Sequence, residues 1–213
     1  MGELTLVQQI TVWALPVLFA ITLHEAAHAY AAKHFGDATA YMMGRMTLNP
    51  LKHIDPIGTV LLPLLSITLG GFIFGWAKPV PVNFGALRNP RVSSRWVAAA
   101  GPLANFGMAV MWALFFRLAI SMDNSYSEPL RLMSQAGISI NIVLMVLNLL
   151  PILPLDGGRI LESLLPPGLA YKYSQLEPYG MWILIALIAT GMLSSILRPF
   201  YALVYALLGP LLH

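Results

Sequence analysis

Two histidines and a glutamate lie close together in the stretch His24-Glu25-Ala26-Ala27-His28. Residues four apart lie on one face of an α-helix, about one turn apart along its axis, so both imidazoles can bind the same metal ion. This H-E-x-x-H spacing is typical of zinc peptidases, in which the glutamate is the general base. It predicts His24 and His28 as zinc ligands and Glu25 as the base. The alternative is two buried, hydrogen-bonded histidines beside a snorkelling glutamate.

The motif lies inside an apolar run, residues 10–32, that is long enough to cross a bilayer. Ionisable side chains at membrane depth are rare unless they are paired or functional. We therefore expect the motif to work within a membrane-spanning helix at about residues 6–34, with Pro16 as a potential kink.

The composition sets the class of the protein. Of its 213 residues, 58% are hydrophobic and 10% are charged, which indicates an integral membrane protein. The sequence contains no cysteine, so a zinc ion must be bound by histidine and carboxylate groups. The net charge of +3 comes without a cluster of basic residues, which argues against nucleic acid as a partner. We expect one transmembrane domain over residues 1–213.

The pattern of apolar segments predicts an all-α polytopic membrane protein with five to six transmembrane helices. The segments that approach or exceed the ~20 residues needed to span hydrocarbon are residues 6–34, 57–76, 96–120, 132–150 and 179–197. Residues 199–212 are apolar but short, so they form either a further span or a helix at the membrane surface.

The second apolar segment, residues 57–76, is interrupted by Gly70 and Gly71. If it enters and leaves on the same side, all but three of the 12 Lys and Arg residues face that side. Such an excess of positive charge indicates the cytosolic side. A re-entrant segment would give this orientation, and a full crossing is the alternative. The alternating prolines of residues 78–83 suit an extended edge strand.

Asp156 is the best candidate for a third zinc ligand. It follows an apolar helix that ends on the same side of the membrane as the first, and the two glycines after it allow the backbone to turn. The alternative is an ordinary Asp-Gly turn or a helix N-cap. Asn148, near the end of the same apolar helix, could stabilise an oxyanion or bind substrate backbone, or it could be a capping or interhelical residue.

Three motifs together carry a resemblance to a known family. They are His24-Glu25-Ala26-Ala27-His28, Gly101-Pro102-Leu103-Ala104-Asn105 and Asn148-Leu149-Leu150-Pro151-Ile152-Leu153-Pro154-Leu155-Asp156-Gly157. With them the sequence resembles the site-2 protease family of intramembrane zinc metalloproteases. Residues 44–50 and 55–58 also resemble a compact prokaryotic branch of that family, and we expect a member without PDZ or CBS modules.

The resemblance implies that His24, His28 and Asp156 bind one Zn²⁺, that Glu25 is the general base and that Asn148 assists. It implies a catalytic core at about residues 6–165 that opens toward the cytosol, followed by C-terminal helices at about residues 179–213. The expected location is the prokaryotic cell membrane.

The resulting hypothesis is hydrolysis of peptide bonds in or near transmembrane segments of membrane-protein substrates within the lipid bilayer. The rival hypotheses are a metal transporter or channel, since intramembrane His and Asp also mark ion paths, and an inactive scaffold. The sequence gives no indication of the oligomeric state.

Overall fold

The computed structural model describes residues 4–61 and 77–212, and these residues form α-helices and irregular segments, with no β-strand among them. In chain order the α-helices of the described residues are α1 (Leu6–His34), α2 (Thr39–Met42), α3 (Pro90–Ser121), α4 (Ser127–Asn148), α5 (Asp156–Leu164), α6 (Pro167–Ser174), α7 (Glu177–Ala189) and α8 (Met192–Leu212). Short 3₁₀ turns occur at Pro50–Lys52 and Phe84–Ala86, and a π-helical turn occurs at Pro56–Leu61.

Helix α1 has the bounds predicted from the sequence. Thr5 and Gln8 form a capping box at its start, in which each side chain accepts the backbone N–H of the other residue. Its 29 residues are ~44 Å long at the standard rise of an α-helix, which exceeds the hydrocarbon thickness of a bilayer. Pro16 lies inside the helix, and Lys33 and His34 occupy its last turn, where cations interact favourably with the helix dipole.

Four helices are long and apolar enough to cross a membrane, namely α1, α3, α4 and α8, and α7 is a shorter apolar helix of 13 residues. The prediction of an all-α polytopic membrane protein is confirmed. Most of the predicted segment at 57–76 lies outside the described residues, so its re-entrant or spanning character stays a prediction.

The predicted single span at residues 179–197 is wrong. The chain leaves α7 after Ala189 and begins α8 at Met192. Gly191 lies between them with φ of 72°, a left-handed conformation that ends helices and that glycine adopts without a steric penalty. The apolar tail at residues 199–212 is therefore the larger part of α8, which with 21 residues is long enough to span.

The edge strand predicted at residues 78–83 is also wrong. The segment is not helical, as expected, but no described strand pairs with it. Pro79 and Pro81 lack backbone N–H groups. The N–H groups of Lys78, Val80 and Asn83 instead donate to a loop carbonyl and to two carboxylate side chains.

The main core lies where α3, α4 and α8 pack together. Its buried side chains are Met108, Ala109, Trp112, Ala113, Ile138, Ile142, Met145, Val146, Val204 and Leu208, and Leu23 of α1 packs against them. Between helices in a bilayer, packing and interhelical hydrogen bonds replace the hydrophobic effect as the source of stability. This core fixes α3 and α4 beside α1 and so positions the residues described next.

Candidate metal centre

His24 and His28 lie one turn apart on α1 with their rings turned toward each other. Both residues are buried, and their Nε2 atoms are 3.1 Å apart. The prediction that both imidazoles face one point is thus realised in the geometry. Burial on a helix of membrane-spanning length places these two imidazole nitrogens where water has restricted access.

Asp156 lies next to the two histidines, although it is far from them in the sequence. It is the first residue of α5, and its carboxylate oxygens lie 3.3 Å from Nε2 of His24 and 3.4 Å from Nε2 of His28. The N-cap of α5 is Leu155, and the helix start has no side-chain cap. The carboxylate of Asp156 therefore faces the imidazoles, and the capping role considered as its alternative is wrong.

These three side chains fit a zinc ion. Each offers one ligand atom, and the three atoms lie within 4.8 Å of one another. Ligands ~2.0–2.1 Å from a tetrahedral zinc ion are about 3.3 Å apart, close to the separations found here. Oδ2 of Asp156 is buried without a hydrogen-bond partner among the described residues, as expected of an atom that is satisfied by a metal.

The outer nitrogens of both rings are occupied. Nδ1 of His24 lies 2.6 Å from Oδ1 of Asn105, and Nδ1 of His28 lies 2.8 Å from the carbonyl oxygen of Val97. A carbonyl only accepts hydrogen bonds, so His28 carries its proton on Nδ1 and directs the lone pair of Nε2 toward the cluster. Such outer partners orient metal-binding histidines and raise their basicity.

Glycine at position 101 allows α3 to approach the cluster. A Cβ atom there would overlap Nε2 of His28 and would lie 2.6 Å from Nε2 of His24. Glycine at this position thus lets α3 pass directly over the Nε2 atoms of His24 and His28.

Glu25 is half-buried and stands beside the cluster without belonging to it. Its Oε2 atom accepts the backbone N–H of Val80 at 2.7 Å. Because this donor belongs to the segment at residues 78–83, that segment crosses the helix face that carries Glu25. The contact holds the carboxylate group in one orientation next to the candidate ligands.

Two buried side chains anchor residues 78–83. The guanidinium group of Arg45 donates to the carbonyl oxygens of Lys78 and Pro79, at 2.9 and 3.3 Å. Asp37, which is fully buried, accepts the backbone N–H of Asn83 at 2.7 Å and both the N–H and the hydroxyl group of Thr39. The sequence did not identify Asp37 or Arg45 as residues near the site.

The environment of Asp37 predicts a pH-dependent contribution to stability. Burial raises the pKa of its carboxyl group, but the hydrogen bonds from Thr39 and Asn83 outweigh burial, and the pKa lies below its usual range. A lowered pKa stabilises the fold above the unfolded value of about 3.9, and this contribution is lost as the pH falls through the folded value. We expect Asp37→Asn to reduce the free energy of unfolding at pH 7 by about 1–3 kcal/mol.

The measurement is thermal unfolding in detergent at pH 7 and again at about pH 3, below the unfolded pKa of an aspartate. The difference between wild type and Asp37→Asn should shrink at the lower pH. The control is Asp123→Asn, because Asp123 is exposed. An equal loss at both pH values would contradict an ionised Asp37 in the folded protein.

Comparison with known proteins identifies the family. Residues 118–190 match the family model of peptidase family M50. YwhC of Bacillus subtilis (strain 168), provisionally named a zinc metalloprotease, is 41% identical over 189 residues, which are 87% of this chain and 83% of YwhC. The chain belongs to peptidase family M50. Two Rip2 proteins named in the same way, from Mycolicibacterium smegmatis and Mycobacterium tuberculosis (H37Rv), are 34% and 30% identical over 88% of this chain and 69% of their own length. No solved structure matches the chain.

Membership of the M50 family, the site-2 proteases, confirms the resemblance seen in the three sequence motifs. It also confirms the predicted class of enzyme, a zinc metalloprotease, and agrees with four apolar helices of membrane-spanning length. The roles of single residues do not follow from membership alone.

In this M50 chain, two asparagines make contacts that differ from those expected from the sequence. Asn148, predicted to assist in the site, donates from Nδ2 to the carbonyl oxygen of Leu144 in its own helix, at 3.0 Å. Asn105, named in the sequence only as part of the motif Gly101-Pro102-Leu103-Ala104-Asn105, contacts His24 directly. Its place in the G-P-x-x-N motif was the signal that could have connected it with the histidines.

Proposed function

We propose that the protein is an intramembrane metalloprotease that hydrolyses peptide bonds in or near transmembrane segments of membrane proteins. The observation that carries this proposal is the cluster of His24, His28 and Asp156, buried at the side of an apolar helix of membrane-spanning length. Two imidazoles and a carboxylate group are the ligand set of a catalytic zinc site that leaves one position open.

His24, His28 and Asp156 would hold the zinc ion. Zinc bound there supplies Lewis acidity, which lowers the pKa of water toward ~7 and stabilises the charge that develops on the scissile carbonyl oxygen. The protein holds the two histidines through Asn105 and Val97, which occupy the outer ring nitrogens.

Glu25 is proposed as the general base. It follows His24 directly in α1, so its carboxylate group projects next to the metal-binding face. There it would take the proton from the attacking water and pass it to the leaving amine nitrogen. The N–H of Val80 donates to one carboxylate oxygen and fixes the orientation of the group. Asn148 stays a proposed assistant to the developing oxyanion, without a described contact to the cluster.

A helical substrate must unwind before cleavage, because its carbonyl groups are engaged in hydrogen bonds four residues apart. Residues 78–83 are irregular, are anchored by Arg45 and Asp37 and contact Glu25. We propose that this segment forms a wall beside the site, against which the unwound substrate lies in an extended conformation.

The proposed setting is the prokaryotic cell membrane, with one transmembrane domain over residues 1–213. The distribution of Lys and Arg supports an active site that opens toward the cytosol. Membrane proteins with transmembrane segments are the proposed substrates, and the lipid bilayer surrounds both enzyme and substrate.

The function is tested by reconstituting the purified protein in liposomes with synthetic transmembrane peptides. We expect fragments whose ends, determined by mass spectrometry, lie in or next to the apolar stretch of the peptide. The same liposomes, loaded with a zinc-sensitive dye, test the transporter hypothesis. Zinc flux without cleavage of any peptide would contradict the proposal.

Gly101→Ala is predicted to damage the metal site while leaving the fold intact. Because the added Cβ would overlap the ligand nitrogens of His24 and His28, we expect zinc affinity to fall by at least about 10-fold, the lower range seen when the surroundings of ligands are changed. The matched control is Gly107→Ala on the same helix, where an added Cβ meets no described atom within 4 Å. Equal affinities for the two variants, measured by chelator competition, would contradict this contact.

A further inference from the structure

A chain of three polar side chains connects α4, α3 and α1. Asn141 of α4 and Asn105 of α3 are fully buried, and His24 of α1 is 8% exposed. Asn105 donates from Nδ2 to Oδ1 of Asn141 at 2.8 Å, and its own Oδ1 lies 2.6 Å from Nδ1 of His24. Buried amides in membrane-spanning helices are unusual enough to require a role.

The direction of every hydrogen bond in this chain follows from two backbone carbonyls. The carbonyl of Gly137 only accepts, so the group of Asn141 that faces it at 2.8 Å must be Nδ2. Oδ1 of Asn141 therefore faces Asn105 and requires a donor there. The carbonyl of Ala20, 3.2 Å from the same nitrogen of Asn105, requires a donor as well. Both requirements identify that atom of Asn105 as Nδ2.

Once Nδ2 of Asn105 is fixed, its Oδ1 must face His24, and His24 must carry a proton on Nδ1. The lone pair of His24 is then on Nε2, the atom that lies 3.3 Å from Asp156. Without Asn141, one of the two acceptors that orient the amide of Asn105 is lost. Rotation of that amide would present an N–H group to His24 and favour the wrong tautomer.

We propose that Asn141 is a positioning residue of the metal site, which acts through Asn105 to hold His24 in its metal-binding tautomer. This inference rests on the proposed function, because it assigns the cluster to a metal ion. It extends the site, which already involves α1, α3 and α5, to a fourth helix, α4, whose described residues contribute no candidate ligand. Residues that orient metal-binding histidines in this way typically change metal affinity by about 10–100-fold when they are lost.

The test is a double-mutant cycle on zinc affinity, measured by chelator competition in detergent with Asn105→Leu, Asn141→Leu and the double variant. We expect each single variant to lose about 10–100-fold in affinity, and the double variant to lose no more than Asn105→Leu alone. A residue with a merely structural role would give losses that multiply. Multiplied losses, or an affinity of Asn141→Leu equal to that of wild type, would overturn the proposal.

Two control variants accompany the cycle. Asn141→Asp keeps an acceptor oxygen for Asn105 and is expected to retain most of the zinc affinity that Asn141→Leu loses. An equal loss of affinity in both variants would contradict the proposal that Asn141 orients Asn105. Ser134→Ala replaces a fully buried polar group seven residues earlier in α4, and its hydroxyl has no hydrogen-bond partner among the described residues. It should leave zinc affinity unchanged.

A measurement on the unmodified protein covers the case in which Asn141→Leu does not fold. In zinc-free wild-type protein labelled with ¹⁵N-histidine, the neutral ring of His24 is expected to be protonated on Nδ1, and protonation on Nε2 would overturn the proposal. The variant His24→Ala distinguishes failure of the proposed metal site from failure of the role proposed for Asn141. Zinc affinity unaffected by His24→Ala would overturn both, whereas a loss in His24→Ala but not in Asn141→Leu would overturn this inference alone.

Discussion

Glu25→Gln is expected to lower the turnover number for a transmembrane peptide by about 10²–10⁴-fold, the usual contribution of a general base. Glutamine has the length and shape of glutamate, and its side-chain oxygen can still accept the N–H of Val80, as Oε2 of Glu25 does. It cannot take a proton from water. The measurement is the initial rate of peptide cleavage at saturating substrate, with wild type and variant reconstituted in the same lipids.

Two controls make this result specific. Zinc content should be the same in Glu25→Gln and wild type, because Glu25 lies outside the cluster of three ligands. Glu128→Gln changes an exposed glutamate at the start of α4, whose partner is Arg131, and should cleave at the wild-type rate. Equal turnover by wild type and Glu25→Gln would exclude Glu25 as the base.

Removal of zinc should have the other large effect, reducing peptide cleavage to the background rate of the substrate alone. The reason is that the activation of water and the stabilisation of the oxyanion both depend on the metal. After dialysis against a chelator, added zinc should restore the wild-type protein. His28→Ala, which lacks one ligand, should require at least about 100-fold more zinc, beyond the effect of residues that only orient a ligand.

Restoration by calcium or magnesium in place of zinc would contradict the proposed ligands, because those ions prefer oxygen ligands to imidazole. Cleavage that survives complete chelation would contradict a metalloprotease mechanism altogether. Folding is monitored by thermal unfolding in each sample, since loss of a metal also destabilises a protein that binds it.

The parts of the site that follow helical periodicity could be predicted from the sequence. The spacing of His24 and His28 fixes their common face on any α-helix. Asp156 was identified by the side of the membrane on which the preceding helix ends and by the two glycines that follow it. The first of these arguments used only the length and polarity of apolar segments, which the membrane constrains strongly.

Contacts that depend on side-chain rotamers and on tertiary approach could not be predicted in the same way. The hydrogen bond between Asn105 and His24 needs the relative rotation of α1 and α3, which no local pattern specifies. The burial of Asp37 follows from three donors brought together by a loop. The break at Gly191 was missed because the sequence on both sides is mostly apolar, with Thr190, Ser194 and Ser195 as isolated polar residues.

The most direct test of the account is the zinc content and zinc affinity of purified wild type, Asp156→Ala and Asp123→Ala. Asp156 completes the cluster with His24 and His28, whereas Asp123 is an exposed loop residue outside it. We predict stoichiometric zinc in wild type and Asp123→Ala, and loss of zinc with greatly weakened affinity in Asp156→Ala. Unchanged zinc content and affinity in Asp156→Ala would contradict the account, because the metal would then be held elsewhere.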